Sequence, residues 1–219
     1  MKEQHKTALL AVAALAVILF LGVYFSPGAT TITTTQAPSP APTAIIQYVA
    51  SAASGTPIED GSCWTNSIAA PYRSDAWRCA VENSISDPCF EFGSPSNVLC
   101  GVNPADAENN KAFIVNLSSP LPKPQLPPGG APDNWAWLVE LEDGTLCTPF
   151  TGTRPFTAAG DSANYGCAPG PIGSEVMIFG DLDASRPIWT ANIGSLMLST
   201  SSLPTLENTR QISVKTVWQ

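Results

Sequence analysis

The chain has 219 residues, a net charge of -8, six cysteines, 21 prolines and a single histidine, His5. Beyond Phe25 there are 17 acidic and 8 basic side chains and no Lys/Arg cluster, so counterion displacement from nucleic acid and docking on an anionic lipid surface are both disfavoured. With no histidine after residue 5, Ser-His-Asp, Cys-His and His-ligated zinc chemistry are excluded from the main domain, and no cofactor is implied.

Residues 1–6 precede an uncharged run, Thr7–Phe25, whose 19 residues would span about 28 Å as a helix, close to a bilayer core. Lys2 and Lys6 lie before it and the next basic residue is Arg73, so the positive-inside rule places the N-terminus in the cytoplasm and the rest outside. The run is longer than the apolar region of a cleaved signal peptide, and Ser26-Pro27-Gly28-Ala29 is a poor cleavage site. The reading is therefore an uncleaved signal anchor: a single-pass cell-membrane protein with an extracytoplasmic domain. Residues 26–62 hold five prolines and many Thr, Ser and Ala, the composition of an extended stalk. Its one apolar patch is Ile45, Ile46, Tyr48 and Val49, which either docks on the domain or stays free.

Residues 63–219 are long enough for one core and carry all six cysteines. An even count in an oxidising compartment predicts three disulfides, and neighbours in sequence give Cys63–Cys79, Cys89–Cys100 and Cys147–Cys167. With no C-x2-C pair, a metal centre on these residues is disfavoured. A Ser-Asp cap and the four-residue spacing of Trp77 and Val81 suggest one short helix over Ser74–Asn83.

Everything else reads as strand. Asn97–Val102, Ala112–Leu117, Glu175–Phe179, Ile188–Ile193, Gly194–Leu198 and Gln211–Trp218 are runs bounded by turn residues. In the last, Ile212, Val214, Thr216 and Trp218 share one face. Ser118–Pro132, with six prolines, is a polyproline-like excursion. Trp135–Phe150 forms a hairpin about Asp143-Gly144. A two-residue type I′ turn there pairs Leu141 with Leu146 and Val139 with Thr148, and it turns Glu140 and Cys147 outward. The fold class is mainly β: a small antiparallel sandwich-like or partly open barrel domain with one short helix and disulfides, behind the transmembrane helix.

Candidate sites are sparse. Trp135, Trp137, Trp189 and Trp218 alternate with apolar partners and are assigned to the core, which leaves Trp64 and Trp77 as the exposed rings that could bind a ligand. Asp181, Asp183 and Ser185 place oxygens at alternate positions, as at the start of a calcium loop, but Arg186 and Asn192 stand where such a loop needs Gly and Glu. Glu140, Glu142 and Asp143 are the carboxylates to consider for glycoside chemistry. Pro124–Pro127 matches P-x-x-P and Asn116-Leu117-Ser118 a glycosylation sequon.

The segments Cys63-Trp64, Ala76-Trp77-Arg78-Cys79, Asp87-Pro88-Cys89-Phe90, Asn164-Tyr165-Gly166-Cys167 and Thr216-Val217-Trp218-Gln219 together resemble a group of bacterial secreted or membrane-anchored envelope proteins with no known activity. The resemblance implies a bacterial source and a cell-envelope location. The expected function is a membrane-anchored binding module without catalysis, whose partner is an envelope protein or glycan. The alternative is a carboxylate-dependent glycan hydrolase or a carbohydrate-binding domain.

Overall fold

Frequent Gly, Asn and Asp turns reverse the chain every few residues, and antiparallel strands follow in sequence order. The computed structural model describes residues 41–106, 111–156, 159–168, 176–197 and 205–219, all within one unit, Pro40–Gln219. The expected membrane span, residues 7–25, lies outside the described residues, as do 1–6 and 26–40. Among the described residues no helix is long and apolar enough to cross a membrane.

Two small barrels stand in place of the single sandwich or open barrel expected. The first is a meander of β2 (Ile58–Asn66), β3 (Ala76–Val81), β4 (Ser84–Phe92), β5 (Ser94–Cys100) and β6 (Phe113–Leu117). It closes by parallel pairing of β2 with β6, Ile58 opposite Ile114 through Gly61 opposite Leu117. Gly61 is squeezed at that seam: a Cβ there would lie 2.6 Å from the Ala80 carbonyl and 2.7 Å from Val115 Cγ1. The second is a meander of β7 (Leu138–Leu141), β8 (Leu146–Pro149), β9 (Ala163–Ala168), β10 (Val176–Asp183), β11 (Thr190–Met197) and β12 (Thr205–Trp218). Pairing of β12 with β7 joins its ends into a ring of six strands. The proline-rich segment 118–132 is the link between the barrels, pinned to the first by Gln125 N–H on Asn66 Oδ1 at 2.7 Å.

All three expected disulfides are present, Cys63–Cys79, Cys89–Cys100 and Cys147–Cys167. Each bridges residues directly opposite one another on neighbouring antiparallel strands. The first two fill the interior of the first barrel with Trp77, Val81, Val98 and Val115. Five short strands enclose little apolar volume, and sulfur bridges supply cohesion that a larger core would otherwise provide.

Several expectations need correction. Residues 74–83 are not helical. Trp77, Cys79 and Val81 are buried at alternate positions of β3, so a spacing of four is equally one strand face, and Cys79 between them decides it. The 142–144 loop has three residues: Leu141 N–H donates to the Thr145 carbonyl (2.9 Å), Gly144 N–H to the Leu141 carbonyl (3.0 Å), and only Gly144 has positive φ, +82°. That extra residue pairs Val139 with Cys147 and turns Cys147 inward, fully buried against Val139 and Leu141. A register shift between Val214 and Thr216 likewise switches the inward face of β12: Ile212, Val214 and Val217 enter the second core, whereas Trp218 points to the other barrel. Part of the expected stalk is folded. Residues 58–62 begin β2, and β1 (Ala44–Ile46) pairs parallel with Thr216–Trp218, so the segment docks by its backbone and by Tyr48, while the Ile45, Ile46 and Val49 side chains stay exposed. Thr43 seals this docking, its hydroxyl donating to the Val214 carbonyl at 2.6 Å and accepting the Trp189 N–H at 2.8 Å.

A third cluster joins the barrels. Ala70, Ala76 and Phe90 of the first meet Trp137, Leu138 and Trp218 of the second, with Tyr48 packed between. Tyr48, Phe90 and Trp137 form an aromatic triangle with ring centroids 4.8–5.2 Å apart.

Candidate functional site

The loop between β2 and β3 lines a groove at the junction of the two barrels. Asp87, with its side chain only 2% exposed, organises that loop. Its carboxylate accepts from the Ser67 hydroxyl, from the Ile68 and Ala69 N–H groups (3.1 and 3.4 Å) and from Arg78 Nη1 (3.0 Å). Arg78 also donates to the Thr151 carbonyl of the second barrel at 3.1 Å. Arg73, further along the loop, crosses the junction. Its Nη1 donates to the Tyr48 and Gln219 carbonyls (2.8 and 2.9 Å), and its other nitrogens grip Asp75 (2.8 and 2.5 Å). Its guanidinium carbon lies 4.9 Å from the Phe90 ring centre.

Between these two anchors the chain presents Pro71 and Tyr72. The half-buried Tyr72 ring meets Trp135 edge-on, centroids 5.6 Å apart at 77°. Trp135 is held by its backbone: its carbonyl accepts from Gln219 Nε2 at 2.7 Å and its N–H donates to the Pro132 carbonyl at 3.0 Å. Tyr72, Pro132 and Trp135 line two cavities at the junction, about 230 and 570 Å³. The smaller is walled by Arg154, Asn164 and Asp181; the larger by Gln47, Asp133 and Gln219. Arg154 Nη1 donates to Asn164 Oδ1 and Asn164 Nδ2 to Asp181 Oδ1, both at 3.2 Å, so Asn164 bridges a cation and an anion along the wall. Apolar rings facing convergent polar groups are the ordinary make-up of a ligand site.

Tyr165 forms part of the same wall, but its hydroxyl donates to the Ala136 carbonyl at 3.0 Å. Burial pushes its pKa up to about 12, so it stays protonated at neutral pH and is no general base. The unfolded chain releases this proton near pH 10 and the folded one near 12, so the folded state binds more protons in between. The Tyr165 contribution, about 2–3 kcal/mol, is present below pH 10 and lost as pH rises through 12. Alkaline titration of the Tyr165→Phe variant, followed by tyrosinate absorbance and unfolding, is expected to lose the latest-ionising phenol and the steepest fall in stability. Retention of that phenol in the variant would refute the assignment.

The residues singled out in the sequence fall elsewhere. Trp64 is 47% exposed on β2, outside both cavities. Trp77 is 1% exposed, packed on the disulfides inside the first barrel, its indole N–H donating to Glu91 Oε1 at 3.1 Å; a ring beside a cysteine on an inward strand position has nowhere else to go. Trp135, assigned to the core, precedes β7 and is only half-buried, whereas Trp137, Trp189 and Trp218 are buried. Asp183 accepts the Ser185 N–H at 3.0 Å, and hydrogen bonds from Ser185 hold its carboxyl below the usual range. Asp181 turns to Asn164. Among the described residues, the one group of three or more acidic, Cys or His ligands gathered closely enough for a metal is Cys79, Cys89 and Cys100, all in disulfides. Glu140 is bonded to Lys215 Nζ (2.7 Å) and the Thr216 hydroxyl (2.9 Å), and Asp143 to Arg210 (3.2 Å), so these carboxylates tie strands together. Asn116 of the sequon is exposed on β6 and donates to Asp60 Oδ1 at 2.9 Å.

No protein family, curated protein or solved structure matches the chain.

Proposed function

We propose that the chain is a membrane-anchored extracytoplasmic binding module of the cell envelope, which holds its partner in the groove between its two barrels. The groove carries the reading: it gathers a half-buried aromatic ring from each barrel and polar side chains of the second, while Glu140 and Asp143, two of the three carboxylates considered for catalysis, are spent on strand-to-strand bonds. Three disulfides fit an oxidising compartment, and the uncharged run 7–25 supplies the anchor. The partner is a component of that compartment, and no bond of it is cleaved.

A photo-crosslinking amino acid placed at Tyr72 in living cells tests the assignment. The expected result is a discrete envelope adduct from position 72 that is missing when the same group stands at Trp64. Adducts from position 64 alone, or from neither position, would refute the groove as the site.

A further inference from the structure

Resting on the groove reading above, we infer that its ligand is an uncharged oligosaccharide, seated in the corner of Tyr72 and Trp135 and hydrogen-bonded by Arg154, Asn164 and Asp181. Three observations carry this.

The first is the shape of the aromatic pair. Two rings at 77° make a corner, not a flat platform. A pyranose has an apolar C–H face and a girdle of hydroxyls, so it can lay that face on one ring and an edge on the other. The rings give it apolar contact and no demand for charge.

The second is the mixed polarity of the wall. Arg154 offers only donors and Asp181 only acceptors, and Asn164, whose two amide hydrogens go to Asp181 (3.2 Å) and the Gly180 carbonyl (2.8 Å), adds an acceptor through the second lone pair of Oδ1. A sugar hydroxyl donates and accepts at once, so it can use every member of such a row. An extended proline-rich peptide, the other occupant that aromatic grooves favour, presents carbonyl acceptors and few N–H donors. Against it the Asp181 carboxylate, which takes one bond from Asn164, would be desolvated with no further donor to accept from.

The third is size and charge. Cavities of about 230 and 570 Å³ share the same two rings in their linings, so the site takes more than one sugar unit. Each cavity sets one arginine against one aspartate, Arg154 with Asp181 and Arg73 with Asp133, so neither lining calls for an ion, and the chain as a whole carries a net charge of -8. Uronate or phosphate-bearing glycans would meet repulsion on approach, whereas neutral ones do not.

The test uses the full chain in a detergent without a sugar headgroup, titrated with gluco-, manno-, galacto- and N-acetylglucosamine oligomers and, for contrast, with uronate oligomers. Calorimetry is the readout, with a thermal melt of every variant. The expected result is saturable binding of at least one uncharged series and none of the uronates. Trp135→Ala and Tyr72→Ala should each weaken that binding about tenfold or more, while Trp64→Ala leaves it unchanged. Asp181→Asn and Arg154→Gln alter exposed side chains and should weaken binding with wild-type melting, which guards against misfolding of the ring variants. No binding by any uncharged series, preference for uronates, or binding that survives all four groove substitutions would overturn the inference. If the oligosaccharides fail while position 72 still crosslinks to an envelope protein, the carbohydrate inference falls and the groove reading stands. If both fail, both fall.

Discussion

Truncating Trp137 to Ala should cost about 3–5 kcal/mol and lower the melting temperature by roughly 10 °C. Trp137 is 1% exposed and touches both Tyr48 and Phe90, so its removal empties the centre of the cluster that joins the barrels. Its indole N–H has no protein partner among the described residues, and relief of that buried donor keeps the loss toward the lower end of the range. Calorimetric unfolding of the variant checks this. A domain that melts like wild type would show that the ring is not part of the shared core. Cys147–Cys167 and the β12 closure should be untouched, so the second barrel is expected to keep its own transition.

Replacing Arg73 by Leu should cost about 1–3 kcal/mol, mainly through the Tyr48 carbonyl left unpaired at the junction, since the Gln219 carbonyl keeps the Tyr48 N–H at 3.0 Å. The Asp75 pair adds less, since that carboxylate is 38% exposed and water takes over its charge. Arg73→Lys should recover little. One ammonium cannot hold a carboxylate side-on, reach two carbonyls and lie over the Phe90 ring at the same time. Asp75→Asn is the milder change. A melt in which Arg73→Lys equals wild type, or Asp75→Asn equals Arg73→Leu, would contradict this ordering. Faster proteolysis of the 118–132 link in Arg73→Leu would report the loosened junction directly.

The disulfide pairing was legible because an up-and-down meander makes sequence neighbours spatial neighbours. Cysteines on consecutive strands then meet across one ladder. The second barrel was legible in outline for a related reason: Ala191, Ile193, Ile212 and Val214 alternate with Thr190, Asn192, Gln211, Ser213 and Lys215, as strands with one buried face must. The first barrel was legible only at Asn97–Val102 and Ala112–Leu117, which overlap β5 and β6. Its strands, such as Ser84–Phe92, bury cysteines and few large side chains, so the apolar alternation that marks a strand is missing. Single inserted residues were equally hidden. The third residue of the 142–144 loop and the shift at Lys215 each reverse which side chains face inward, and no local pattern marks either in advance. The groove was illegible because Tyr72, Trp135, Arg154 and Asp181 lie on connections or strand ends of two barrels, and one barrel could not be told from two while residues 118–132 read as an excursion within a single fold.

The docking of β1 on β12 sets an order of assembly. Gln47 and Gln219 are bonded across 172 positions of sequence, whereas the first barrel closes within residues 58–117. A chain made from its N-terminus can complete that first barrel, both its bridges included, long before its partner barrel exists. Residues 43–48 must wait through all of this with their ladder unpaired, since the strand they join follows all the other strands in the chain. The long wait raises the loop-closure cost and makes this step slow relative to the local hairpins. It also makes the arrival of Thr216–Trp218 the event that completes the molecule: one strand seals the second ring, captures the waiting segment and places Gln219 against Arg73. Until then the larger cavity lacks Gln219 and the Trp135 carbonyl lacks the hydrogen bond that holds it.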